Sequence, residues 1–247
     1  MARPIVERLN DNVVRIGTWI VNWYLVADDD GVTVIDAAVP GYRTQLGPGL
    51  QELGRTLPDV KAVVLTHAHA DHVGCAEQLR TELGIPVYVH QADMELATTG
   101  KAFGKNEASM LPYLKHPMAY RLMLELGRNG GMKPPPIGDV RTYADGNEIP
   151  VPGRPQAIHT PGHTDGHCSL VAADVLFAGD ALCTLNPLTG TRGPQLMPSA
   201  FNRSTDQALK SLDKLVGTHA SLVAPGHGNP VREPNAAVDE ARKRGPT

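Results

Sequence analysis

The stretch Thr66-His67-Ala68-His69-Ala70-Asp71-His72 constrains this chain more than any other. Three imidazoles and a carboxylate fall within six positions, directly after the apolar run Val60-Lys61-Ala62-Val63-Val64-Leu65. A strand that ends in such a cluster delivers the side chains to one place at a sheet edge. Neutral imidazole nitrogens and carboxylate oxygens are ordinary ligands of zinc and its first-row neighbours. The spacing therefore predicts a metal site, the alternative being a polar loop that happens to be rich in His. Four ligand-type residues do not by themselves make an enzyme.

The rest of the composition narrows what such a site can serve. A chain of 247 residues is long enough for one large domain with a substantial core. Net charge is −3 and only 4% of residues are aromatic, so neither a basic field nor a base-stacking surface argues for nucleic acid. Cys75, Cys168 and Cys183 are odd in number and far apart, which is no disulfide framework and no CxxC zinc site. The first residues, Met-Ala-Arg-Pro-Ile-Val-Glu-Arg, lack the hydrophobic core of a signal peptide. Ile16 to Ala27 is too short and too often interrupted to span a bilayer. The expectation is a cytoplasmic, soluble protein with a small-molecule substrate, no nucleic-acid or membrane partner, and an oligomeric state left open.

In chain order, Val13–Ile16, Val21–Val26 and Val32–Ile35 read as strands, the last two joined through the Asp28-Asp29-Asp30-Gly31 turn. Asp36 follows the third strand, either capping a loop or orienting a ligand His. Tyr42 to Leu57 has helical spacing interrupted by Gly47-Pro48-Gly49, which predicts a late helix start. The metal cluster is followed by a helix over Val73–Leu83, stopped by Gly84, and by a strand Pro86–His90. Alternating strand and helix argue for an α/β layer architecture. Residues 91–138 differ: five of the seven methionines (Met94, Met110, Met118, Met123, Met132) lie there with Tyr113, His116 and Tyr120, and Met118–Leu126 reads as an amphipathic helix. This segment is either a satellite helical pair or a lid that lines a pocket with adaptable side chains. From Arg141 the β pattern resumes, Ser204–Val216 reads as a capped helix, and Ser221–Ala224 as a last strand.

Four times a short apolar run ends in Gly, Pro or Thr plus a metal-type side chain: at His67, at His163 in Thr160-Pro161-Gly162-His163, at Asp180 in Ala178-Gly179-Asp180, and at His227 in Pro225-Gly226-His227. Loops at strand ends converge readily on one edge of a sheet sandwich. This motif series, in this order, resembles that of the metallo-β-lactamase-fold hydrolases, and Asp36 after Val34-Ile35 matches their first motif. The resemblance covers about Val13 to Pro230, with 91–138 the least matched part.

The resemblance implies an α/β (α+β) fold, a four-layer αββα sandwich of two mixed sheets flanked by helices, forming one domain over 1–247 with a helical insertion at about 91–138. It also implies a glyoxalase-II-like site for two zinc ions per chain, with Fe or Mn as alternatives. His67, His69 and His163 would hold the first ion, Asp71, His72 and His227 the second, and Asp180 would bridge them. A hydroxide generated there would attack a small ester, lactone or thioester, with Asp71 guiding a proton to the leaving group. The segment Ala181-Leu182-Cys183-Thr184-Leu185-Asn186-Pro187-Leu188 lacks the Gly-Cys-Gly-Arg type sequence of glyoxalase-like and persulfide-dioxygenase members. It also lacks the Tyr that quorum-quenching lactonases carry past the Asp, a phenol for which Tyr24, Tyr113 and Tyr120 are substitutes. His116 and His167 are further candidates for substrate contact or ligand support. The competing readings are a β-lactam hydrolase, an iron-dependent oxidoreductase in the same cage, and a metal-binding protein without turnover.

Overall fold

A computed structural model describes residues 3–101, 104 and 106–247. Positions 1 and 2 of the N-terminal reading and positions 102, 103 and 105 of the 91–138 segment lie outside the described residues. Seven strands form the first sheet in sequence order: β1 (Ile5–Arg8), β2 (Val13–Gly17), β3 (Asn22–Asp28), β4 (Gly31–Ile35), β5 (Val60–Val64), β6 (Val87–His90) and β7 (Arg141–Tyr143). The first four are antiparallel neighbours, and β4 to β7 are parallel. Parallel neighbours need crossover connections. These are supplied by α1 (Leu46–Glu52) after β4, by α2 (Ala70–Val73) and α3 (Ala76–Leu83) after β5, and by α4 (Met94–Thr99) and α5 (Pro117–Arg128) after β6.

The second sheet is built from β8 (Gln156–His159), β9 (Cys168–Ala172) and β10 (Val175–Gly179). A small ribbon of β11 (Cys183–Leu185) and β12 (Arg192–Gln195) and the helix α6 (Thr205–Ser211) precede its remaining strands, β13 (Leu222–Pro225) and β14 (Val231–Arg232). The strand order is β14-β13-β10-β9-β8, with β13 parallel to β10, and α7 (Pro234–Arg244) follows.

Side chains alternate across a strand with period two, and that alternation sorts the apolar residues into layers. Val13, Tyr24, Val26, Ile35 and Val64 face Leu170, Val175, Phe177 and Ala224 between the sheets. Their neighbours Val14, Ile16, Trp23, Leu25, Val63 and Leu65 face the other way, against Leu46, Leu50, Leu79, Leu122 and Leu126 of the helices. On the far side, Leu176, Ala178 and Val223 pack on Ala208, Leu212, Val238 and Ala241. The result is the expected αββα sandwich of two mixed sheets.

Several local expectations are corrected. Helix α1 starts at Leu46, so Gly47-Pro48-Gly49 forms its first turn instead of delaying it. The missing Pro N–H costs nothing there because first-turn donors have no intrahelical acceptor. The helix expected over Val73–Leu83 is two pieces, α2 and α3, broken at Gly74-Cys75. At Gly74 the chain passes so close to Val39 and Pro40 that a Cβ would lie 2.5 Å from each. Ser204 does cap α6 by accepting from the Gln207 N–H, but from Leu212 the helix tightens to a 3-10 turn. Strands β1, β11 and β12 and helix α7 are not among the sequence expectations. β1 is mostly exposed, and α7 carries a weak apolar stripe of Ala and one Val, so neither advertises a core face.

His90 ends β6 buried, its ring stacked on His159 with centroids 4.3 Å apart and its Nδ1 accepting from the Ala92 N–H. Burial, and then the neighbouring His159, lower its pKa to about 4. Between pH 6.5 and 4 the unfolded chain therefore binds a proton that the folded chain refuses, and stability falls as the pH drops through that window. Thermal melts at pH 6.5 and 4.5 should show a smaller loss in His90→Phe than in the parent. An equal loss in both would remove His90 from the account.

Candidate metal centre

All four strand-end motifs meet at one edge of the sandwich. After β5 the chain turns at Thr66, whose N–H donates to Asp36 Oδ1 at 2.7 Å, and runs through His67 and His69 into α2, which carries Asp71 and His72. His163 stands on the β8–β9 loop, Asp180 directly follows β10, and His227 lies two residues past the end of the parallel neighbour β13. Two glycines make the close approach possible. A Cβ on Gly179, at φ +51°, would lie 2.7 Å from His167 Nε2, and one on Gly226 would lie 2.2 Å from Asp180 Oδ1.

Ligand-type atoms of His67, His69 and His163 lie within 4.8 Å of one another, as do those of Asp71, His72 and His227. A third group, His67, His72 and Asp180, links these two. Asp180 Oδ2 is 3.2 Å from both His163 Nε2 and His227 Nε2, and Oδ1 is 3.6 Å from His72 Nε2. The six His and Asp180 side chains that build and back this site are buried, whereas Asp71 is partly open.

The outer nitrogens of the rings are fixed by hydrogen bonds. His72 Nδ1 donates to Asp36 Oδ2 at 2.9 Å. Thr66 Oγ1 sits 3.1 Å from His67 Nδ1 and donates to Asp36, so its single proton leaves it an acceptor for His67. His163 Nδ1 meets Asn202 Oδ1 at 3.1 Å, and His227 Nδ1 donates to the Ile20 carbonyl. His167 supports the site from behind: its Nε2 accepts from the Asp180 N–H at 2.9 Å while Nδ1 meets Thr160 Oγ1. Such partners fix the tautomer and aim the inner nitrogen, as outer partners of metal-bound His do.

The donor set fits metal ions. His67 Nε2, His72 Nε2 and Asp180 Oδ1 are buried without a hydrogen-bond partner among the described residues, and all three point into the shared space. A buried polar atom left unmade costs free energy, so a cation is the natural occupant. Burial pushes the His67, His69 and His167 imidazoles well below their ordinary range, so their rings are neutral. Burial acts the same way on His72, but Asp180, Asp36 and Asp71 outweigh it and raise His72 to about 10. Burial would raise the Asp180 carboxyl, yet the facing His227, His72 and His163 hold it well below the usual range. Without metal, the buried carboxylate is thus compensated by protons on imidazoles that a cation would displace.

The comparisons with known proteins agree with this geometry. Residues 16–227 match the model of the metallo-beta-lactamase superfamily. The chain belongs to that superfamily. A probable metallo-hydrolase of Bacillus subtilis (strain 168) is 27% identical over 89% of this chain and 85% of its own length. An uncharacterized protein of Mycobacterium leprae (strain TN) is 32% identical over 84% and 86%. Among solved structures, a metallo-beta-lactamase family protein of Thermus thermophilus superposes with a TM-score of 0.64 at 28% identity, over 98% of this chain and 78% of that one. A subclass B3 metallo-beta-lactamase of Bradyrhizobium japonicum shares the fold, with a TM-score of 0.69 at 20% identity over 98% and 91%. Membership places the chain among the metallo-hydrolase superfamily, whose fold binds metal ions, and its His/Asp cluster at the strand ends is of the type that holds them.

Two cavities border the superfamily site. A narrow recess of about 20 Å³ is bounded by Asp71, Asp180 and His227 on one side and by Leu122, Leu126, Pro187, Met197 and Phe201 on the other. A wider, more polar cavity of about 230 Å³ opens beyond His69 and His163. Of the sequence candidates for substrate contact, Tyr24, Tyr113, His116 and Tyr120 line neither one. Tyr24 faces the core between the sheets, its ring edge-on to Phe177 and its hydroxyl donating to the Pro225 carbonyl at 2.7 Å. Tyr113 packs on the outer-face core, and His116 occupies the N-cap position of α5 without a side-chain capping bond. Tyr120 lies on the opposite face of α5 from Ala119, Leu122 and Leu126 and is 58% exposed. The five methionines of 91–138 do not line the recess either; the methionine that does is Met197, after β12. No helix among the described residues is long and apolar enough to cross a membrane.

Proposed function

We propose that this chain is a dinuclear zinc hydrolase acting on a small ester, thioester or lactone. The observation that carries the reading is the set of three unpartnered, buried, inward-pointing atoms, His67 Nε2, His72 Nε2 and Asp180 Oδ1, between two three-residue ligand groups. Zinc at such a site supplies a water acidified to a pKa of about 7 and a Lewis acid for the substrate carbonyl. The chain's own residues do the rest. Asp180 spans the two groups, and the buried imidazoles exclude bulk water. The apolar wall of Leu122, Leu126, Met197 and Phe201 favours a substrate whose reacting carbonyl carries a compact apolar group. Asp71, whose side chain is 14% exposed against 2% for Asp180, is the more open of the two carboxylates that line the recess. It is placed to pass the proton that the leaving oxygen or sulfur needs, so that water and ester yield acid and alcohol or thiol.

A panel of short-chain esters, thioesters, lactones and β-lactams, assayed with metal-free and zinc-loaded protein, tests the reading. Turnover of an ester, thioester or lactone that requires zinc is expected, and His69→Ala should lose metal and turnover together. Full activity of the metal-free protein would end the proposal. So would turnover confined to β-lactams.

A further inference from the structure

Asp93 lies after β6, in a single 3-10 turn before α4, and is 3% exposed. It is absent from the three ligand groups, yet its carboxylate ties two of the ligand-bearing loops together. Oδ2 accepts from the Ala68 N–H at 3.0 Å and from Thr164 Oγ1 at 2.7 Å, and Oδ1 accepts from the Gly166 N–H at 2.8 Å. Ala68 stands between His67 and His69, and Thr164 follows His163. The loop comes so close that a Cβ on Gly166 would lie 2.6 Å from the Asp93 nitrogen and 2.7 Å from its Cγ. Three donors converging on one buried carboxylate make charge-assisted bonds, the strong class of hydrogen bond. The His72 half of the centre has its own carboxylate, Asp36, which binds His72 directly and the Thr66 hydroxyl beside His67.

We propose that Asp93 is a positioning residue for one ion: it holds His67, His69 and His163 in register, while the Asp71, His72 and His227 group is held without it. The proposal rests on the two-metal reading above. Asp93→Asn keeps the shape but turns one acceptor oxygen into an NH2 that faces an N–H or hydroxyl donor. Thr164→Val removes a single bond.

The test is titration of cobalt(II) into metal-free protein, following the visible absorption bands. The parent should take up two equivalents. Asp93→Asn should take up one with parental affinity and spectrum and the other about 10- to 100-fold more weakly, the range seen when outer partners of metal ligands are removed. Thr164→Val should show the same one-sided loss, smaller. A merely structural role would lower the melting temperature of the metal-free variant and leave both cobalt affinities of the folded protein unchanged. That result, or equal weakening of both ions, overturns the proposal. A parent that binds a single equivalent defeats the two-metal reading instead; Asp93 is then judged on that ion, supported if Asp93→Asn weakens it about 10- to 100-fold and overturned if affinity is unchanged.

Discussion

Asp180→Asn should strip the centre of metal and leave turnover more than about 100-fold below the parent, beyond the 10- to 100-fold typical of an outer partner. The side chain is buried, and its Oδ2 stands 3.2 Å from imidazoles of both ligand groups, so its charge serves both. An amide of the same shape offers one oxygen and no charge. The metal-free protein responds too. There the carboxylate compensates protonated His72 and His227, both raised above the ordinary His range despite burial. Removing one partner of a buried ion pair costs about 3–5 kcal/mol. In Asp180→Asn the imidazoles can shed their protons, so the loss should be smallest at alkaline pH and grow on acidification. Metal analysis and denaturant melts of the metal-free variant at pH 6 and 9 measure both effects. Parental metal content in Asp180→Asn would remove this residue from the centre.

Gly226→Ala should be nearly as damaging, although glycine offers no ligand. Its backbone is clamped on two sides: its N–H donates to the Gly179 carbonyl at 2.8 Å, and its carbonyl accepts from the Asn22 N–H at 2.7 Å. A methyl group there would lie 2.2 Å from Asp180 Oδ1 and 2.8 Å from His72 Cε1. Neither a clamped backbone nor buried ligands can retreat without opening the cage. Overpacking of this kind costs about 1–3 kcal/mol, and here the displaced atoms belong to the proposed metal ligands Asp180 and His72. Gly127→Ala is the control. It lies in α5 with nothing within 4 Å of the added Cβ, so it should gain about 0.5–1 kcal/mol of stability and leave metal content unchanged. Equal metal content in the two variants would contradict this account of the Gly226 contact.

How much of the molecule could be read from its sequence depends on whether the information is local. The cluster at His67 to His72 and the strand-end His163, Asp180 and His227 each carry a short motif, and the fold brings all seven residues to one edge. Alternating strand and helix patterns pointed to an α/β layer architecture, and the resemblance of the motif series to the metallo-β-lactamase fold implied the αββα sandwich. Asp36 was visible as a candidate because it ends a strand, and His167 because it flanks the His163 motif. Asp93 and Asn202 were not, because each acts through a loop distant in sequence. Asp93 reaches Thr164, 71 positions away, and Asn202 reaches His163, 39 positions away. The nearest local signal for Asp93 is an acidic residue just past the end of a strand, the same signal that singled out Asp36. The recess failed for a related reason. Composition pointed to the methionines and tyrosines of 91–138, but the helical register of α5 turns Leu122 and Leu126 inward and Tyr120 and Met123 outward. Pro187, Met197 and Phe201, which complete the wall, come from the chain around and after the β11–β12 ribbon, where no periodic pattern marks them.

The central claim is that this edge holds two metal ions that act together, and zinc titration of metal-free protein tests it most directly. Bound metal by mass spectrometry and hydrolysis of the best substrate from the panel would be followed in the same samples. The account predicts that zinc binds to two equivalents per chain and that turnover, absent without metal, reaches its plateau as the second equivalent is taken up. Binding or turnover that saturates at one equivalent, or turnover that is complete without zinc, would contradict it.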